Sequence, residues 1–226
     1  MTDILPGLDL NLFNSADPAS VSTTVKLILL ITILSIAPSI LILMTSFTRI
    51  VIVLSFVRTS LATQQMPPTQ VLISLALFLT FFIMAPTFSE INDKAVTPFL
   101  DGKITQEEAF DQAALPMKEF MSKHTRQKDL MLFLGYAGEE KPKTIDDIPL
   151  TTLVPAYAIS ELKTAFQIGF MIFVPFLVID MIVASVLMSM GMMMLPPVMI
   201  SLPFKILLFV MVDGWYLVVK SLLLSF

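Results

Sequence analysis

Apolar residues run along this chain in long blocks separated by short polar breaks. Residues 27–48 are 22 positions without a charge, enough to cross a hydrocarbon core of ~30 Å at ~1.5 Å per helical residue. Pro38 lies inside that block and predicts a kink or a split. Arg49 and Arg58 then bracket the apolar octet IVIVLSFV. Met66-Pro67-Pro68 predicts the end of any helix, because the residue before a proline is pushed out of the α region. Residues 71–89 make the second uncharged block.

The pattern then changes. Residues 90–147 hold 12 acidic and 8 basic side chains, so this stretch is expected in water. Thr105 and Glu108 in TQEE have capping-box spacing. The helix beyond it is predicted to present Phe110, Ala114, Met117 and Met121 on one apolar face. An insert this small lacks the material for a large core of its own and should pack on its neighbours. Apolar character returns at 164–179, interrupted by Pro175 and ended by Asp180. Residues 181–190 continue that helix, 191–197 reverse it, and a last helix is expected from Val198 onward, carrying Lys205, Asp213 and Lys220.

The pattern thus gives an all-α fold of integral membrane-type helical hairpins with broken helices, plus a small helical polar insert; assembly as a ring is expected because charged hairpins are poorly suited to lipid on all sides. Its parts are an N-terminal segment outside the membrane (1–25), a first apolar hairpin (26–89), the insert (90–150) and a second apolar hairpin (151–226). Arg49 and Arg58, the cations between the first two blocks, are expected in a cytoplasmic loop, which puts the acidic N-terminus and the insert on the extracytoplasmic, periplasmic side.

Composition agrees with the pattern. Of the 226 residues 56% are hydrophobic and only 14% charged, where a soluble domain has about a quarter charged. Cysteine is absent and His124 is the single histidine, which excludes a disulfide framework and a thiolate or His-rich metal site. A net charge of -4 without a basic tract argues against nucleic acid. The first 25 residues contain no Lys or Arg, so no secretory leader is expected; either one has been removed or the first apolar block is itself the insertion signal.

Three features stand out. In SMGMMMLPPVMISLPF, residues 189–204, five of sixteen residues are methionine. A lone methionine in such a helix is as readily packing filler as anything else. Met192, Met193 and Met194, between Gly191 and Pro196-Pro197, point in different directions and cannot all enter one core. Repeated around a ring, such a turn would form a deformable seal. Second, Glu161, Lys163, Asp180, Lys205 and Asp213 are ionisable groups in apolar surroundings, costing ~2.5–3.5 kcal/mol each at a bilayer centre. Lys163 is expected to snorkel at an interface. Asp180 and Lys205 should pair with each other, with Glu161 or with a neighbouring copy, although a buried carboxylate also marks ion pathways. Third, prolines at 38, 67–68, 86, 175, 196–197 and 203 are expected to interrupt the apolar runs, freeing carbonyls that lipid cannot satisfy.

Residues 46–88, SFTRIVIVLSFVRTSLATQQMPPTQVLISLALFLTFFIMAPTF, and 173–215, FVPFLVIDMIVASVLMSMGMMMLPPVMISLPFKILLFVMVDGW, closely resemble the signature of the FliP family of flagellar export-gate proteins, related to the SctR proteins of injectisomes. The resemblance implies a core pore-forming component of the flagellar type III protein export gate, passing unfolded flagellar subunits across the bacterial cytoplasmic (inner) membrane at the basal body. It implies a homo-oligomer, expected as a pentamer, with FliQ- and FliR-type gate proteins and FlhA/FlhB-type export proteins as partners, no cofactor and no catalysis. The family's methionine gasket falls on Met192, Met193 and Met194. Its polar contacts between subunits fall on Arg126, Glu161, Asp180 and Lys205. It also implies apolar hairpins raised largely above the membrane plane.

The other reading of the residues is an ion-coupled secondary transporter or an ion channel subunit, resting on Asp180 and the broken helices. It predicts internal repeat symmetry, and the two halves share little beyond a Pro-Pro break. An intramembrane enzyme would need a Ser/Lys, Asp/Asp or HExxH arrangement that the apolar blocks lack.

Overall fold

A computed structural model describes residues 28, 31–32, 34–36, 38–40, 42–63, 65–139, 142, 144–192 and 194–226. Among these the fold is all-α, without strands. The chain divides into residues 1–41 and 42–226. In the first unit the described positions are helical, and the hydroxyls of Thr32 and Ser35 donate to the carbonyls of Ile28 and Ile31. That satisfies both polar groups inside an apolar helix. The segment 1–25 lies outside the described residues, and the kink expected at Pro38 turns on residues that do too.

The second unit begins with α1, Phe47–Ser60. Its buried residues Arg49, Ile50, Val53, Leu54 and Val57 recur at helical spacing. The octet between the two arginines is therefore not a cytoplasmic loop. Four of its side chains are wholly buried at the centre of the main core, with Leu72, Ala76, Ala165 and Leu222. The chain reverses after Leu61 through Ala62, which is left-handed at φ 56°, and passes the Met66–Pro67 peptide, which is cis.

Helix α2, Thr69–Ile91, leads through a wider π-helical turn, Asn92–Val96, into α3, Thr97–Leu100, as one apolar helical run of 32 residues. Pro98 explains the wide turn: it has no N–H to give, and its ring would collide with the carbonyl of Lys94 in regular α-helix. Pro86 sits inside α2 without breaking it.

Helix α4, Gln106–His124, opens with the expected capping box of Thr105 and Glu108. Met117 and Met121 are buried, but Phe110 is 67% exposed, contrary to the face read from spacing. Only the later turns of α4 reach the second core, where Met117 and Met121 meet Met44, Met84, Leu153 and Tyr157. The polar insert thus shares its core with α2 and the helix that follows it. Helix α5, Gln127–Ala137, ends at left-handed Gly138, and the Glu139 amide donates to Leu134 O at 3.0 Å.

Helix α6, Leu150–Ser189, runs 40 residues through Pro155, Pro175 and Asp180. Pro175 was expected to interrupt it and does not. An apolar helix of this length keeps its course where the carbonyl freed by a proline can be satisfied by local backbone adjustment or by neighbouring groups. The strongest packing partner of α6 is α1. At Gly169 the helices come so close that a Cβ would lie 2.5 Å from the Phe56 ring.

Helix α7, Pro197–Met211, keeps Pro203 inside it, so that expected break is also absent. The break comes instead at Val212–Asp213, where the chain bends by 62° into α8, Gly214–Leu224. The single last helix expected from Val198 is therefore two. Asp213 is left-handed (φ 52°, ψ 53°), and the Phe209 ring occupies the space that a Cβ on Gly214 would need, 2.3 Å away. Trp215 closes the elbow edge-on at 5.3 Å from that ring.

Candidate functional site

The tip of the α6–α7 hairpin is shaped by backbone bonding. Met192 N–H donates to Leu187 O and Gly191 N–H to Met188 O, both at 3.0 Å. This pair of bonds closes the end of α6 and needs a left-handed residue at 191. Gly191 supplies it at φ 77°. Pro197 opens α7, where its missing N–H leaves nothing unsatisfied. Pro196, extended at φ -68° and ψ 115°, fixes the approach.

None of the described methionines at this tip fills the core. Met192 is 47% exposed and Met194 99% exposed. Met193 lies outside the described residues. Gly191, Met192, Met194, Pro196 and Pro197 are thus brought together at one exposed apolar tip.

Behind the tip, Asp180 on α6 faces α7. Lys205 Nζ donates to Asp180 Oδ2 at 2.7 Å, and Ser201 Oγ donates to Oδ1. The Lys205 side chain is 2% exposed and that of Asp180 26%. Of the partners considered for these two residues, the chain uses the nearest. Ser201 was not singled out from the sequence, although it stands one helical turn before Lys205 and so on the same face.

Glu161 has a different partner. Arg49 Nε donates to Glu161 Oε2 at 2.7 Å, and Nη2 donates to Oε1. Arg49 Nη1 donates to Ser225 O at 2.6 Å and Ser225 Oγ at 3.0 Å, and the guanidinium lies 3.8 Å from the centre of the Phe226 ring. Arg49 is 3% exposed and Glu161 not at all. Arg49 therefore cannot count as a loop cation for orientation, because a guanidinium consumed by a carboxylate, a hydroxyl, a carbonyl and a ring meets neither water nor headgroups. Arg58, half-buried, donates to Thr69 Oγ1 at 3.0 Å.

Arg126 precedes α5. Its backbone N–H donates to Ser160 Oγ at 3.0 Å, and that hydroxyl donates to Asp129 Oδ2 at 2.7 Å. Arg126 Nη2 donates to Thr164 Oγ1 and Gln167 Oε1 at 3.2 and 2.6 Å. Nη1 is buried without a hydrogen-bond partner among the described residues. Lys163 is exposed, while Glu161 two residues earlier is not.

Chemically, these groups hold and shape helices. Among the described residues two apolar runs, Thr69–Leu100 and Leu150–Ser189, are long enough to cross a membrane, and the bent α7–α8 pair could make a third. Much apolar surface is exposed, including Phe78 (75%), Phe82 (71%) and Met171 (73%).

The model of the FliP family matches residues 30–222. A flagellar biosynthetic protein FliP of Bacillus subtilis is 77% identical over 217 residues, 96% of this chain and 98% of that one. The protein of the same name from Caulobacter vibrioides is 55% identical, covering 89% of this chain and 76% of that one. Another, from Cereibacter sphaeroides, is 52% identical over 90% of this chain and 67% of its own length.

Proposed function

This chain belongs to the FliP family, and we propose that it is a pore-forming subunit of the flagellar type III export gate in the bacterial cytoplasmic membrane. Several copies form the ring, a pentamer, with FliQ-, FliR- and FlhA/FlhB-type proteins as neighbours and unfolded flagellar subunits as cargo. The observation that carries this reading is the exposed methionine tip. A glycine- and proline-defined turn presents flexible thioether side chains that the described residues leave exposed, Met194 almost fully and Met192 about half. Methionine is unbranched and polarisable, so its contacts can be remade around a moving polypeptide.

The rest of the hairpin supports it. Asp180 and Lys205 neutralise each other inside the hairpin, so its flanks can meet apolar neighbours without an unpaired charge at that level. Arg126, with one guanidinium prong unpartnered among the described residues, is assigned a contact with an adjacent copy. The ion-transport reading rests on Asp180, and that carboxylate is already answered by a lysine and a hydroxyl. The test is complementation. In cells lacking this gene, wild type should restore flagellar export, and replacing Met192, Met193 and Met194 together with aspartate should abolish it without loss of the assembled particle. Normal export by the aspartate variant would overturn the reading.

A further inference from the structure

Four charges of the apolar hairpins are consumed within the chain, Arg49 with Glu161 and Lys205 with Asp180. Three on α6–α8 are not. Lys163, Asp213 and Lys220 are exposed. Lys163 and Asp213 have no polar side-chain partner among the described residues, and Lys220 only rests over the Tyr216 ring at 5.6 Å. Asp213 stands where an aspartate normally caps the following helix, yet its carboxylate makes no cap bond. Its exposed neighbours are apolar: Val210 (69%), Met211 (76%), Val212 (48%) and Tyr216 (58%). A carboxylate in such a patch is costly against lipid and calls for a partner. The aromatic face of α2 differs, since Phe78, Phe81 and Phe82 are exposed on a stretch, residues 69–89, with no charge at all.

From this contrast we propose that the α7–α8 elbow is a contact surface for a second copy of this chain, with Asp213 as its anionic centre and Lys163 or Lys220 of the adjacent copy as the cation. The two signs sit on different parts of one chain, the anion at the elbow and the cations on α6 and α8, so neighbouring copies can pair them head to tail around a ring. The uncharged α2 face is left for lipid or apolar partners. The inference rests on the ring reading and adds to it the surface through which copies meet.

The test is the mass of the detergent-solubilised full-length particle on dilution, with helical content as a control for folding. Asp213→Asn removes the charge while keeping a residue that tolerates the left-handed conformation. It should raise the concentration at which the ring dissociates by about tenfold or more. Asp213→Lys should be worse, and Lys163→Asp or Lys220→Asp placed with it should restore assembly, identifying the cation. If Asp213→Lys does not fold, the Asp213→Asn arm decides. Asp213→Asn rings that resist dilution like wild type, or restoration by neither lysine reversal, would overturn the contact. A wild-type chain that is monomeric throughout would instead sink the ring reading beneath it.

Discussion

Arg49 and Glu161, 112 positions apart, form a two-pronged ion pair between α1 and α6 with both side chains out of solvent. The same guanidinium holds Ser225 and faces Phe226. Three distant parts of the sequence are thus tied at one cation. Removing either partner strands a buried charge, which costs about 3–5 kcal/mol. Arg49→Met and Glu161→Gln should each lower the unfolding midpoint in detergent sharply, and Arg49→Met with Glu161→Leu should recover part of the loss. Single variants that melt like wild type would show the pair to be dispensable.

The Asp180–Lys205 pair predicts an asymmetry. Lys205 is almost wholly buried, whereas Asp180 keeps a quarter of its side chain exposed and a hydroxyl partner in Ser201. Asp180→Asn leaves a buried ammonium and should approach the upper part of the ~3–5 kcal/mol range. Lys205→Met leaves a carboxylate that can still reach solvent and should cost less. Equal losses in a denaturant titration would refute the asymmetry.

Gly169 is required by its neighbour. A methyl group there would overlap the Phe56 ring, so Gly169→Ala should force α1 and α6 apart at about 1–3 kcal/mol. Phe56→Leu in the same chain should return some of that stability, since it empties the space the methyl needs. A melting curve unchanged by Gly169→Ala would mean that the ring simply moves aside.

The methionine tip makes a prediction about leakage. If the tip closes the proposed ring, replacing Met192, Met193 and Met194 with alanine shortens the side chains but leaves Gly191 and Pro196-Pro197 in place, so the ring should assemble and pass small solutes. Leucine keeps apolar volume but adds branching; those cells should stay tight while export slows. Small-solute uptake measures both, and a triple-alanine ring as tight as wild type would put the seal elsewhere.

At the insert, Glu108 accepts from the backbone N–H of Thr105, and this holds its carboxyl below the ordinary range. The folded value is depressed, so the cap's contribution is complete above the unfolded value and is lost as pH falls through the folded one. Amide exchange in the first turn of α4 should therefore quicken only below the ordinary carboxylate range, ~pH 4. In Thr105→Val, exchange there should already be fast at neutral pH.

Chain order alone determined that this protein is helical, apolar and interrupted by one polar insert, because uncharged runs of this length cannot be housed otherwise. It also marked the methionine turn, since Gly191 and Pro196-Pro197 act through local backbone geometry. Tertiary structure decided which charges meet. Nothing local to Glu161 says that its cation is Arg49 rather than Lys205, because that choice depends on how α1 packs beside α6. It also decided which prolines matter. Pro86, Pro175 and Pro203 lie inside helices that continue through them, whereas the elbow at Asp213 forms without a proline, where the Phe209 ring fills the space beside Gly214.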